Sequence, residues 1–337
     1  MKRRGTLTSR LRVPAWLGRA LQITATLALL VLIWRIAGGA DALTLLRGAH
    51  PVWLATAAGL LMALTVLSAL RWRLAAAPLG IRLSARTAIA EYFLAQLVNT
   101  TLPGGVLGDV GRAARARHGA GVAAAAGSVI VERAIGQLAM LVVLSAGFVG
   151  TLTLATSIDW PPPVLAALAV LLPAAWAAVL AVLIGLRVHP GAAGRLGRTA
   201  RALRRSLRSA PWQQVGLAMA TAACVLGAFA CCAFAVGAPL SFAAVVAVVP
   251  LVLLAMLIPV SVAGWGVREG TAVALLPIAG IGAAQSLAIS VSFGLMALIA
   301  ALPGVATVWA RRRIMRSHPI SSPEQASLSP TPRRRHG

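Results

Sequence analysis

Apolar residues in this chain come in runs near twenty, and the stretches between the runs hold nearly all of the charge. Runs at 20–38, 52–70, 122–152, 163–186, 213–236 and 283–309 are each long enough to cross about 30 Å of hydrocarbon as an α-helix. They predict six spanning helices. Two further segments, 87–120 and 238–282, begin with an apolar half-length, break at proline and glycine, and resume as another half-length. The fold class that follows is an all-α polytopic integral membrane protein of about six to eight transmembrane helices. The higher number counts each half of a broken segment as a short full span.

Composition agrees with that pattern and removes other classes. The chain is 59% hydrophobic and 11% charged, with mean hydropathy +0.86, which excludes a soluble globular domain. A net charge of +24 invites a nucleic-acid reading, but the placement of the charge argues otherwise. All Lys and Arg except Arg35, Arg47, Arg133 and Arg268 fall into five stretches, 1–19, 71–86, 111–117, 187–208 and 311–335. These alternate with apolar segments as the positive-inside rule requires of cytoplasmic loops, so the basic excess reports orientation and contact with anionic lipid headgroups. No nucleic-acid partner is expected.

With both termini in the cytoplasm of a plasma (inner) membrane, 39–51 and 153–162 fall outside. The 187–212 loop, with seven arginines and Leu186, Leu196, Leu203 and Leu207 among them, falls inside as a basic amphipathic helix or a solvated loop. The domain division is then a basic cytoplasmic N-terminus (1–19), one transmembrane domain (20–310) and a basic, Ser/Pro-rich disordered tail (311–337). The leader imitates a signal peptide, but it reads better as the start of a first span. Cys224, Cys231 and Cys232 sit in one predicted helix without metal-ligand spacing, and the histidines pair with nothing. No metal or other cofactor is expected.

The unusual chemistry lies at the breaks. An ionisable group at bilayer depth costs about 2.5 to 3.5 kcal/mol on insertion scales, so such groups mark functional sites by default. Asp109, Glu132 and Glu269 all lie inside or against apolar stretches, each within three positions of an arginine. The first break reads NTTLPGGVLGDVGR, from Asn99 to Arg112. Pro103 stops a helix, Gly104 and Gly105 free the backbone, and Gly108 with Asp109 can cap a new helix bearing Arg112 and Arg115. A helix start with arginine beside it suits a phosphate. The alternative is an ordinary cap followed by ordinary cytoplasmic charge.

The second break reads LIPVSVAGWGVREG, from Leu257 to Gly270, and sets Pro259, Ser261, Gly264, Gly266 and Gly270 around Arg268 and Glu269. No basic loop accounts for Arg268, which makes it the first choice for an anionic ligand. Between the breaks, Glu132 and Arg133 occupy one predicted helix about 100° apart, so one of them must reach another helix or a cavity. Glu91, Gln96 and Asn99 follow helical spacing toward the first break and can line the same cavity or bond between helices. Flanking charge makes the first broken segment enter from the inside and the second from the outside. Two such hairpins of opposite orientation are the signature of an inverted repeat with a midplane site.

The order of these blocks, Asn99 to Arg112, then Glu132-Arg133, then Pro259 to Gly270, resembles the flippase-like family named for the transmembrane region of lysylphosphatidylglycerol synthase. The resemblance spans roughly residues 20 to 310. It implies a membrane domain with re-entrant helices that moves lipids or lipid-linked headgroups between leaflets. Members that make aminoacylated lipid carry a further cytosolic transferase domain, and this chain ends about thirty residues after its last span. It is therefore not expected to aminoacylate anything.

The expectation is a transporter for a phospholipid or a polyprenyl-phosphate-linked headgroup, with no catalytic residue. Arg112, Arg133 and Arg268 would hold the headgroup phosphate beside Asn99 and Ser261. Asp109, Glu132, Glu269 and Glu91 would balance those arginines, meet an amine or exchange protons. No G-x-x-x-x-G-K-[ST] motif offers direct ATP drive. The rival is an integral lipid-phosphate hydrolase or transferase on inverted re-entrant loops, which needs a nucleophile or metal-bound water that single acids do not supply.

Overall fold

The computed structural model describes residues 15–102, 105–117, 121–156, 158–188, 201, 204–205, 208–257 and 261–309. Among them every regular element is helical: α1 (Ala15–Ile36), α2 (Gly39–Arg47), α3 (Pro51–Ala76), α4 (Ala85–Thr101), α5 (Leu107–Ala116), α6 (Val122–Thr153), α7 (Pro162–Val188), α8 (Pro211–Ala235), α9 (Phe242–Ala247), α10 (Val249–Leu254), α11 (Val267–Leu275) and α12 (Ala283–Ala301). Five helices are long and apolar enough to span a bilayer: those starting at Pro51, Val122, Pro162, Pro211 and Ala283. The protein is a polytopic integral membrane protein.

The first expected span is met by α1, but the segment after it departs from its prediction. α1 ends at Ile36, and at Gly38, whose φ of 72° is open to glycine at little cost, the chain turns by 89° into α2. The segment expected to be an outer loop at 39–51 is thus largely a short helix, with Asp41 in its first turn and Arg47 in its last, each set favourably against the helix dipole. α1 and α2 count as one span only if the bent pair is taken together.

The other spans lie close to their expected positions, with one consequential extension. α3 runs on past Leu70 through Arg71, Trp72 and Arg73, and buries the first two. α3 and α8 pack along one another as the central pair, with α4, α6 and α12 against α3 and α6 and α12 against α8. α7 lies at the periphery, tied to α6 by a 3.0 Å hydrogen bond from Trp176 Nε1 to Ser145 Oγ. The three cysteines of α8 are free, as small packing residues require.

Each broken segment starts the same way. Ser84 Oγ accepts from the Thr87 N–H at the head of α4, and Ser241 Oγ from the Ala244 N–H at the head of α9. α4, at 17 residues, is about 25 Å long and α5, at 10, about 15 Å, so neither is a full span and they pack on each other as a hairpin. The first helix of each broken segment is seated by a glycine from the other part of the chain. A Cβ on Gly147 of α6 would lie 2.4 Å from the Val246 carbonyl oxygen of α9, and one on Gly304, just past α12, 2.5 Å from that of Phe93 in α4. Only glycine permits those two backbone approaches.

Pro103, Gly104 and Pro259 lie outside the described residues. So do the leader before Ala15, most of the basic loop at 187–212 and the tail after Trp309.

Candidate functional site

Six helices bring the intramembrane charges into two clusters. In the first, Glu132 of α6 is fully enclosed and clamped by two arginines. Arg71 Nη2 reaches its Oε1 at 2.5 Å and Arg112 Nη2 its Oε2 at 2.8 Å, while Tyr92 of α4 donates its hydroxyl to Oε1 at 3.2 Å. Arg112 also binds Asp109 Oδ1 at 2.9 Å, and Arg133 binds Asp109 Oδ2. The Arg112 guanidinium lies over the rings of Trp72 and Tyr92, 4.8 and 4.4 Å from their centroids, and Trp72 is itself held by Nε1 to Ser128 Oγ at 3.0 Å. Every carboxylate oxygen of Asp109 and Glu132 has an arginine partner.

These contacts alter three expectations. Asp109 does not cap α5: the helix starts at Leu107, and the Gly108 N–H is satisfied instead by Asn99 Oδ1 at 2.7 Å. α4 and α5 come so close there that a Cβ on Gly108 would sit 2.0 Å from the Ala95 carbonyl oxygen. That closeness lets Asn99 reach across the break. Arg112 is fully buried within its own ion pairs and rings, which places it behind the site and away from the cavity. Glu91 is held by Arg115 Nε at 2.6 Å and does not line the cavity either.

The second cluster surrounds α11. Arg268 Nη2 binds its neighbour Glu269 at Oε1, 2.5 Å, and its Nε donates to Ser290 Oγ of α12 at 3.1 Å. Glu269 Oε2 accepts the Gly266 N–H at 2.6 Å, so this carboxylate caps α11 and neutralises Arg268 at once. Trp265 and Phe293 face the guanidinium at 5.0 and 5.5 Å. A Cβ on Gly294 would lie 2.3 Å from Arg268 Nη2, so this glycine makes room for the charge.

The turn before α11 has φ of 52° at Ala263, 82° at Gly264 and 84° at Gly266. α1 braces it, with Thr26 Oγ1 accepting the Val262 N–H at 3.0 Å, Leu29 against Gly266 and Ile33 against Gly270. Gly105 at the first break likewise has φ of 59°.

Between the two breaks lies a cavity of about 370 Å³. Gln96, Asn99 and Gly105 line it from the first break, Arg133 and Gln137 from α6, and Ser261, Gly264 and Arg268 from the second. Apolar side chains of α3, α8, α10 and α12, Leu61 and Phe293 among them, form the remaining wall. Of the three arginines expected at a ligand, the geometry brings Arg133 and Arg268 to one cavity. Arg133 keeps 44% of its side chain exposed while Arg268 is 2% exposed.

Trp72, Gln137 and Ser290 went unrecognised in the sequence, and so did Arg71 and Tyr92. Arg71 stands at the end of an apolar run, where an ordinary topogenic charge also stands. Tyr92 follows Glu91 with no polar pattern to single it out. Gly136, one turn beyond Glu132, carried a signal, because a Cβ there would lie 2.8 Å from Arg71 Nη2.

The family model of the lysylphosphatidylglycerol synthase TM region matches residues 20–304. The chain belongs to that family. The match runs from within α1 through α12 and takes in both breaks, so family and site cover the same part of the chain. Neither a curated relative nor a solved structure matches. Among the described residues no group of His, Cys, Asp or Glu is arranged to hold a metal ion.

Proposed function

We propose that this protein translocates a phospholipid, or a polyprenyl-phosphate-linked headgroup, between the leaflets of the plasma membrane, with both termini in the cytoplasm. The observation that carries this reading is the cavity between the two breaks, with Arg133 and Arg268 on its wall. A phosphate in hydrocarbon meets a prohibitive desolvation cost, and a polar groove bearing guanidinium groups removes most of it. Irregular backbone at bilayer depth is tolerated only where it lines such a cavity.

The two halves, α3 to α6 and α8 to α12, are taken as an inverted repeat. Supporting this, α3 and α8 pair centrally, α12 packs on α3 as α6 packs on α8, and Gly304 seats on α4 as Gly147 seats on α9. Rocking one half against the other would open the cavity to each leaflet in turn. In this mechanism Arg133 and Arg268 hold the headgroup; Arg112 positions Arg133 by fixing their shared Asp109, and Glu269 with Ser290 positions Arg268.

Purified protein in vesicles with fluorescent phosphatidylglycerol or a polyprenyl phosphate tests the reading. Leaflet exchange faster than in empty vesicles, and lost in Arg268→Ala, is the expected result. Exchange no faster than in empty vesicles for both lipids would remove it. Phosphate released from a lipid pyrophosphate in the same vesicles would replace it with a hydrolase.

A further inference from the structure

A membrane cavity with guanidinium groups on two sides has an obvious use for a carboxylate, yet none faces it. The polar side chains on its wall are Arg133, Arg268, Gln96, Asn99, Gln137, Ser261 and Thr100, with neither Asp nor Glu among the described lining residues. Residues 103–104 and 258–260, which complete the two breaks, are Pro, Gly, Ile, Pro and Val and carry no acid. Asp109 and Glu132 turn both oxygens to arginines instead, and Glu269 turns one to Arg268 and the other to the Gly266 N–H.

The charge count is uneven. Arg71, Arg112, Arg133 and Arg268 face Asp109, Glu132 and Glu269, which leaves one positive charge without a counterpart in the two clusters. That surplus lies on the cavity side. Arg133 must share Asp109 with Arg112, and it alone of the four keeps a large part of its side chain exposed.

The uncharged groups describe the rest of the ligand. Gln96 and Gln137 make no side-chain hydrogen bond to another described residue, and each amide offers a donor and an acceptor, the complement of hydroxyl groups. Ser261, 5% exposed, lines the same space with its Oγ unpartnered among the described residues. The aromatic rings, by contrast, are spoken for. Trp265 and Phe293 already face the Arg268 guanidinium, so they form no vacant cage for a quaternary amine.

We infer that the cavity selects a headgroup carrying one negative charge beside hydroxyl groups, a glycerol- or sugar-bearing phosphate, and rejects headgroups that carry an amine. The inference rests on the lipid-translocation reading for its biological setting, but the selectivity belongs to the cavity alone. An ammonium group has no carboxylate to meet and lies close to Arg133, which costs it on the order of 10- to 100-fold in affinity.

The test is equilibrium binding to the purified full chain of glycerophosphoglycerol, a hexosyl methyl phosphodiester, inorganic phosphate, glycerophosphoethanolamine and aminoacylated glycerophosphoglycerol. One or both hydroxylated phosphates bind at least about 10-fold tighter than either amine-bearing compound, and which of the two binds identifies the lipid source. Gln96→Leu and Gln137→Leu, whose thermal unfolding is unchanged, lose the preference over inorganic phosphate. An amine-bearing compound bound as tightly as the hydroxylated ones, or no binding by any of the five, overturns the inference.

Leaflet exchange of lipids with the same headgroups separates the two claims. Selective binding without exchange removes translocation and leaves the selectivity. Exchange that favours the aminoacylated or ethanolamine lipid leaves translocation and removes the selectivity.

Discussion

Arg112 and Glu132, twenty residues apart, meet through a 2.8 Å ion pair in which neither side chain keeps any exposed surface. Around it Arg71, Asp109, Tyr92 and Trp72 close every direction from which water or a ligand could approach. The pair therefore acts on the cavity only by fixing what stands in front of it.

Removing one partner strands a buried charge. Glu132→Gln leaves Arg71 and Arg112 without their shared counter-ion, and a loss of about 3 to 5 kcal/mol is expected. Thermal unfolding in detergent measures it. A drop in stability no larger than that of an exposed substitution would show that the clamp is not structural.

Arg133 is expected to behave in the opposite way. It is 44% exposed, and the Arg112–Asp109 pair persists without it, so Arg133→Gln costs at most about 1 kcal/mol. Headgroup binding falls at least about 10-fold all the same. Measuring Tm and binding on one preparation distinguishes this from a folding defect.

Gly294→Ala separates fold from site in a different manner. Alanine is favoured over glycine inside a helix by about 1 kcal/mol, but here its methyl group meets Arg268 Nη2 and the Trp265 ring. Because those are side-chain ends, they move and the helix stays. Stability is retained while exchange in vesicles falls about 10-fold or more.

Gly147→Ala meets backbone instead, 2.4 Å from the Val246 carbonyl oxygen, where nothing can turn aside. About 1 to 3 kcal/mol of destabilisation is expected. Gly150→Ala, three residues on with nothing within 4 Å, is the matched control and is neutral or stabilising. Unfolding midpoints of the two variants decide.

The sequence disclosed the spans and both breaks because each is a local pattern: length of an apolar run, or proline and glycine interrupting one. Arg133 and Arg268 were legible for the same reason, as the arginines in apolar surroundings away from any basic stretch. Arg71 and Arg112 were harder to place. Both sit in stretches where the positive-inside rule already accounts for arginine, and only the packing of α3 against α8 and of α5 against α6 turns them inward. The helix α2 also escaped: the chain does turn where the first span was expected to end, but the apolar stretch after it is too short to mark a helix, and 39–51 read as a loop. What a residue faces depends on the rotation of its helix, and that is set by distant partners.

Tyr92 is the chain's single tyrosine, and its hydroxyl rests on the carboxylate that both inner arginines share. The molecule thus contains its own reporter. Fluorotyrosine incorporated during expression gives one ¹⁹F resonance, located where the first hairpin meets α6. Its line shape would follow the hairpin's motion in a bilayer with no label added to the surface.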